Sequence, residues 1–287
     1  MSPARSEQKL RFRLDPYIKW MIGWRGDRKG WLRQAQWRSF NGKIHYAVIT
    51  TPWGDVIADT NDQIIGQAAY NWKSSEIKTI QIAHRLLGQP SGIFIDVGAN
   101  IGTTSLMALY LGFSQACGFE LDDTNYRVAR AAYILNALEA KASITHCAVG
   151  ATEGRVGEVQ SNINVGDHRV APGQQVRLAR LDDLLHENHI EPKDVSLVWM
   201  DVQGFEAQVL TGAKEVLAAG TPWVMEFCPP MLAPDRDTFL DTIKDRKITR
   251  LSTEDNKVDS TVITIEDLRE FTPRDPQGSW DLLVESR

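Results

Sequence analysis

Four carboxylates in this chain stand at or near the ends of apolar runs, and each is followed by a turn. In IFIDVGANIGTTS (93–105), Asp96 is followed by Gly98, Asn100 and Gly102, which open a helical pattern. Glu120 ends a second apolar run, ACGFEL (116–121), 18 positions after Gly102. Asp201 closes SLVWMDV (196–202) and Glu226 closes WVMEFC (223–228). Glycines after a strand permit a tight turn and let a ligand approach the backbone. A dinucleotide site would carry GxGxxG here, with a pyrophosphate at the helix N-terminus. The chain has no such motif, and a carboxylate at Asp96 disfavours a pyrophosphate. An acid there suits a positively charged group, such as the ammonium of an amino acid. Glu120 at the next strand end can accept hydrogen bonds from both hydroxyls of a ribose.

An amino acid joined to a nucleoside describes S-adenosylmethionine, and this spacing resembles the arrangement by which class I methyltransferases hold it. The alternative is an ordinary strand–turn–helix with a capping Asp and a surface Glu. Asp201 faces the same crevice and is a candidate for orienting or deprotonating an acceptor hydroxyl; it could instead be a helix N-cap. Glu226 could hydrogen-bond a polar acceptor, and if buried it needs a partner. His168, in NINVGDHRV (162–170), is a second candidate base because imidazole titrates near neutrality. It could equally be a surface His of a hairpin. Glu206, in a first helical turn where negative charge suits the helix dipole, reads as structural. No spacing demands a metal.

The elements that must position these residues alternate. Residues 75–87 read as a helix, ended by Gly88, Pro90 and Gly92. Strands are expected at 93–98, 116–121, 143–150, 196–202 and 223–228, with helices at 103–111, 123–138, 205–219 and 236–246. Residues 151–175 read as a hairpin or loop insertion. ITRLST (248–253) and WDLLVES (280–286) are candidate last strands joined by a polar connection. Continuous apolar strands alternating with helices argue for a parallel sheet covered on both faces, with ligands bound beyond the C-terminal strand ends. Before this region, 44–50 and 53–60 read as a strand hairpin, and 17–24 has helical spacing. Gly26 and Gly30 bracket a charged turn, and residues 1–16 read as a mobile arm.

The 287 residues are 43% hydrophobic and 24% charged, which excludes a disordered or collagen-like chain. No apolar run reaches the length of a membrane span, and the N-terminus is too charged for a secretory signal. Three scattered cysteines favour a reducing cytoplasm. The net charge of −5 hides an asymmetry. Residues 1–43 carry eleven Lys/Arg and three acids, a balance of +8, together with four of the nine tryptophans; the remainder is −13. The basic stretch reads as a helix packed on the body, as a surface for an anionic partner, or as a peripheral membrane contact. The acidic body argues against a nucleic-acid track. The organisation expected is a basic, Trp-rich extension over 1–60 and one catalytic domain over 61–287; the oligomeric state is not legible.

FIDVGANIGTTSL (94–106), GFELD (118–122), CAVG (147–150), VWMDVQGFEAQVLTGA (198–213) and the glutamate of WVMEF (223–227) resemble the FkbM family of S-adenosylmethionine-dependent methyltransferases. NWKSSE (71–76) is similar to the family's lead-in. The resemblance implies a class I, Rossmann-like α/β fold: a mainly parallel, doubly wound sheet with an antiparallel final strand. It implies a cofactor site of Glu76, Asp96, Gly98, Ala99, Asn100, Gly102, Thr103, Glu120, Leu121, Ala148 and Asp201. It places Asp201 near the transferred methyl, with Glu226 and the His168 loop nearby. It also implies O-methylation of a sugar, polyketide or other natural-product acceptor. One departure is visible: the family often has Asp-Val-Glu-Gly where this chain has Gln203. The sequence leaves open an NAD-dependent oxidoreductase, disfavoured by the missing GxGxxG, and a non-catalytic nucleoside-binding scaffold.

Overall fold

The computed structural model describes residues 28–40, 43–62, 64–71, 75–159, 169–252, 259–273 and 278–287. In chain order come helix α1 (Arg28–Phe40), a hairpin of β1 (Tyr46–Thr51) and β2 (Gly54–Asp59), and helices α2 (Ile65–Asn71) and α3 (Ser75–Leu86). Then follow β3 (Ile93–Val97), α4 (Thr103–Leu111), β4 (Gln115–Glu120), α5 (Asp123–Leu135), β5 (Ala142–His146) and β6 (Ala148–Val149). Next are β7 (Gly154–Val159), β8 (Arg169–Ala179), α6 (Leu181–Glu187), β9 (Val195–Met200), α7 (Glu206–Thr211) and α8 (Lys214–Ala218). The chain closes with β10 (Trp223–Phe227), α9 (Arg236–Ile243), β11 (Lys247–Ser252), β12 (Asp259–Ile263), α10 (Ile265–Glu270) and β13 (Trp280–Glu285).

Eight strands form one sheet in the order β12-β11-β13-β10-β9-β3-β4-β5. The run from β10 to β5 is parallel, and β13 lies antiparallel between β10 and β11. The expected mainly parallel sheet with a reversed final strand is therefore what the chain forms. The central strands are apolar on both faces because both are covered. Ile95, Val97, Phe119, Val198, Met200, Met225 and Phe227 bury one face with Leu184, Leu185, Val209, Leu210 and Phe239. Phe94, Leu197, Trp199, Val224 and Leu283 bury the other against Ile77, Ile80, Ala83, Met107 and Ala108 of α3 and α4. A third cluster joins Val56 and Ala58 of β2 to Leu106, Val128 and Ala129 of α4 and α5.

Several elements differ from the sequence reading. The strand expected over 143–150 divides at Cys147, whose N–H donates to the Glu120 carbonyl, after which β6 joins β8 in a separate three-stranded sheet. The helix expected over 205–219 breaks at Gly212, where a Cβ would lie 2.0 Å from the Gly150 carbonyl oxygen. The insertion is a β7–β8 hairpin, and His168 lies outside the described residues. The polar connection before β13 contains β12 and α10, the latter opened by a Thr264–Asp267 capping box. Gly30 lies inside α1 rather than in a turn. Trp37 anchors that helix: it is fully buried, stacks near Tyr70, and its Nε1–H donates to the Asp62 carbonyl at 2.8 Å. Such tertiary anchoring outweighs the low helix propensity of glycine. The helical spacing at 17–24 lies outside the described residues.

Candidate active site

Strand register brings the chemistry together. Val97 pairs with Phe119 on one side and Met200 on the other, and Met200 pairs with Met225. One residue further along, Glu120, Gly98, Asp201 and Glu226 therefore form a row across the C-terminal ends of four parallel strands. Asp281 of the reversed β13 extends the row, opposite Glu226. Neighbouring strands lie about 4.8 Å apart, so consecutive members of the row are within side-chain reach.

The glycine turn is held from below and from the side. Gly98, Asn100 and Gly102 have φ of 84°, 50° and 81°, so the turn needs residues that tolerate the left-handed region. The N–H groups of Gly98 and Ala99 donate to the Phe119 carbonyl at 3.0 and 3.1 Å. Glu120 accepts from the Asn100 N–H through Oε2 at 2.7 Å and from the Asp122 N–H through Oε1 at 2.8 Å. Its carboxylate thus fixes the turn.

Asp96 makes contacts within the fold. It is fully buried, and its Oδ2 accepts from the hydroxyls of Thr104 and Ser105, both at 2.6 Å. Desolvation pushes its pKa up to about 6, against the lowering effect of those hydroxyls. Its Oδ1 has no hydrogen-bond partner among the described residues. Asp96 therefore ties β3 to the first turn of α4 beneath the glycine turn.

Three hollows converge on Asp201. One, of about 50 Å³, lies between Gly98, Asn100, Glu120, Leu121, Ala148 and the Asp201–Phe205 turn. A second, of about 160 Å³, continues over the glycine turn past Ala99, Thr103 and Glu76. The third, of about 180 Å³, is walled by Glu76, Trp199, Asp201, Glu226, Ser279 and Asp281. Asp201 borders all three.

The third hollow is electrostatically unusual. Four carboxylates line it, and no Lys, Arg or His does so among the described residues. Burial, then the charges of Glu226, Glu76 and Glu206, hold the Asp201 carboxyl well above the usual range; a hydrogen bond from Gln203 opposes them. Burial and neighbouring carboxylates push Glu76 to about 7. Burial raises Asp281 as well, opposed by the Thr79 hydroxyl, which donates to it at 2.8 Å. Ser279 donates to Glu226 Oε1 at 2.6 Å. Glu206 accepts from the Gly204 N–H at 3.1 Å, and burial raises it to about 7. No group of three or more His, Cys, Asp or Glu residues is arranged to hold a metal ion among the described residues.

Of the residues singled out in sequence, Gly98, Asn100, Glu120, Leu121, Ala148 and Asp201 meet at the first hollow. Glu76, Ala99 and Thr103 meet at the second, and Glu226 at the third. Gly102 begins α4, where Tyr133 fills the space a side chain would need. Sequence reasoning missed Gln203 as a contact, along with Trp199, Phe205, Ser279 and Asp281. Asp281 carried a signal, an acid at the head of an apolar strand, but its antiparallel pairing with Glu226 is a long-range fact.

A doubly wound, mainly parallel sheet with β13 and the edge strand β12 reversed is the class I methyltransferase fold. The chain is similar to P. horikoshii TYW2 in complex with MeSAdo, at 12% identity and TM-score 0.45, covering 85% of this chain and 71% of that one. It is similar to an FkbM methyltransferase from Methylobacillus flagellatus KT, at 13% and 0.42, covering 90% and 59%. It is also similar to an O-methyltransferase from Bacillus cereus in complex with SAH, at 10% and 0.43, covering 95% and 96%. No curated protein matches it. No helix among the described residues is long and apolar enough to cross a membrane. The FkbM methyltransferase domain matches residues 96–248, more than half of the chain, which therefore belongs to the FkbM family of S-adenosylmethionine-dependent methyltransferases.

Proposed function

We propose that the chain methylates a hydroxyl oxygen of a small polar acceptor or glycan seated in the acid-walled hollow beside Asp201. The observation that carries this reading is the position of Asp201, shared by the hollow at the glycine turn and the hollow lined by Glu226. Glu120, Leu121, Ala148 and the Gly98–Gly102 turn, which share one hollow, would hold the nucleoside end of the cofactor. Glu76, Ala99 and Thr103 fit its amino-acid end. When bound, S-adenosylmethionine supplies an electrophilic methyl on a sulfonium whose departure leaves a neutral thioether. No anion has to be stabilised on that side.

The protein's work is then alignment and proton removal. A rigid strand end holds Asp201, and alignment alone lowers such barriers by several kcal/mol. As the acceptor oxygen bonds to carbon, its proton passes to the Asp201 carboxylate. General-base help of this kind contributes about 10²–10⁴-fold. A carboxyl held above its usual range is a better match to a neutral-pH proton transfer than an ordinary aspartate. Walls of carboxylate repel phosphate, which favours an uncharged or cationic acceptor over nucleic acid.

The test is transfer of a labelled methyl group from S-adenosylmethionine into fractionated small-molecule, glycan and RNA pools. Label should enter a base-stable ether in the first or second pool, and Asp201→Asn should lower incorporation at least tenfold. Label in RNA alone would refute the acceptor class, and undiminished incorporation by Asp201→Asn would refute the base.

A further inference from the structure

Gln203 lies in the turn that follows β9, and its side chain reaches two carboxylates. Nε2 donates to Asp201 Oδ1 at 2.6 Å and to Glu226 Oε2 at 3.4 Å. A primary amide nitrogen carries two hydrogens, so one group can serve both acceptors. The backbone is committed to this arrangement. Gln203 and Gly204 both have positive φ, 53° and 98°, and a Cβ on Gly204 would lie 2.8 Å from the Met231 carbonyl oxygen. A non-glycine residue in this conformation persists only where its surroundings hold it there.

The charges around the pair make the donor consequential. Asp201 on the β9 end faces Glu226 of β10, Glu76 of α3 and Glu206 of α7, with Asp281 of β13 behind Glu226. All are acids. Glu226 already receives the Ser279 hydroxyl on Oε1. Asp201 receives Gln203 on Oδ1. Removing the amide would take away the donor shared by two carboxyls of adjacent strands.

We infer that Gln203 is a positioning residue that clasps Asp201 to Glu226, fixing the orientation of Asp201 and leaving Oδ2 to meet the acceptor. The inference rests on the proposed role of Asp201 as the group that takes the acceptor's proton. Gln203 does this through Asp201 and needs no contact with the reacting atoms. A carboxylate at the same place offers no donor and adds one more like charge, so Gln203→Glu is the most damaging conservative change. Gln203→Leu removes the donor without adding charge.

Carboxyl-carbon NMR of aspartate-labelled protein tests the clasp without knowledge of the acceptor. The Asp201 signal is assigned by its loss in Asp201→Asn. In Gln203→Leu its titration midpoint should rise by at least one pH unit, a tenfold change in protonation equilibrium. In Gln203→Glu the rise should be larger, and the Asp96 midpoint should stay in place in both. An unmoved Asp201 midpoint in variants that keep the thermal midpoint of the parent would overturn the clasp. The unsubstituted protein gives a second reading. The Gln203 side-chain ¹⁵NH₂ resonances should shift with pH in step with Asp201 and cease to do so in Asp201→Asn. Resonances indifferent to the Asp201 titration would overturn the clasp even if neither Gln203 variant folds. Failure of Asp201→Asn to slow methyl transfer would instead remove the base and leave the clasp standing.

Discussion

Gly98 and Asp201 are in backbone contact: a Cβ on Gly98 would lie 1.9 Å from the Asp201 carbonyl oxygen. The Asp201 N–H in turn donates to the Val97 carbonyl at 3.0 Å. The cofactor turn and the candidate base are therefore one rigid unit. Gly98→Ala would force the two strand ends apart and place a side chain at a φ of 84°. We expect it to lower S-adenosylhomocysteine affinity at least tenfold and methyl transfer by more. Calorimetry beside a turnover assay checks both, and parent-like affinity would show that the turn is not where the ligand binds.

Glu120 separates a ligand contact from a structural one. Glu120→Gln loses the charge and keeps one of the two acceptor oxygens, so cofactor binding should weaken by about 1–3 kcal/mol, with a smaller loss of stability than Glu120→Ala. Glu120→Ala also leaves the Asn100 and Asp122 amides without their acceptor. It should therefore cost thermal stability as well as affinity, and a thermal melt distinguishes the two substitutions.

The acids of the site give the ligand-free protein a characteristic pH dependence. Burial raises Glu76 to about 7, Asp96 to about 6 and Glu206 to about 7. A carboxyl raised in the folded state contributes stability that is complete below its ordinary pKa and is lost as pH rises through the shifted one. The thermal midpoint should therefore fall between pH 5 and pH 8. Glu76→Gln should flatten that fall and stabilise the ligand-free protein at pH 8 by about 1–3 kcal/mol. A midpoint that rises across this window would contradict the burial of these groups.

Trp37 makes α1 part of the folded body. Truncating a buried Trp costs about 3–5 kcal/mol, and Trp37→Ala also frees the Asp62 carbonyl. A chain beginning at residue 44 should lose comparable stability, whereas one beginning at Arg28 keeps this anchor. Denaturant melts of the two chains give the comparison, and equal midpoints would show that α1 is dispensable.

The sheet and the glycine turn were legible because their signals are local. A buried parallel strand is a short apolar run, and a glycine turn is written in consecutive residues. The strand ends named Glu120, Asp201 and Glu226 directly. What was not legible depended on pairing between distant segments. Asp281 and Ser279 reach the site only because β13 inserts antiparallel beside β10. The contacts of Asp96 were not legible either, because nothing in its own strand reveals that Thr104 and Ser105 turn back onto it. Gln203 stood out only as a departure from a motif; its use as a double donor required the left-handed turn. The same limit applies to α2, whose short GQAAYN stretch has no periodic pattern of its own and forms against Trp37 and β2.

The central claim is that Glu120 and the glycine turn hold S-adenosylmethionine at the head of the carboxylate row. Isothermal titration of S-adenosylhomocysteine, with NAD as the competing ligand, tests it most directly. The account predicts saturable binding of S-adenosylhomocysteine to the parent protein, a loss of about fivefold or more in Glu120→Gln, and no heat with NAD. Binding of NAD instead, or S-adenosylhomocysteine affinity unchanged in Glu120→Gln, would contradict it.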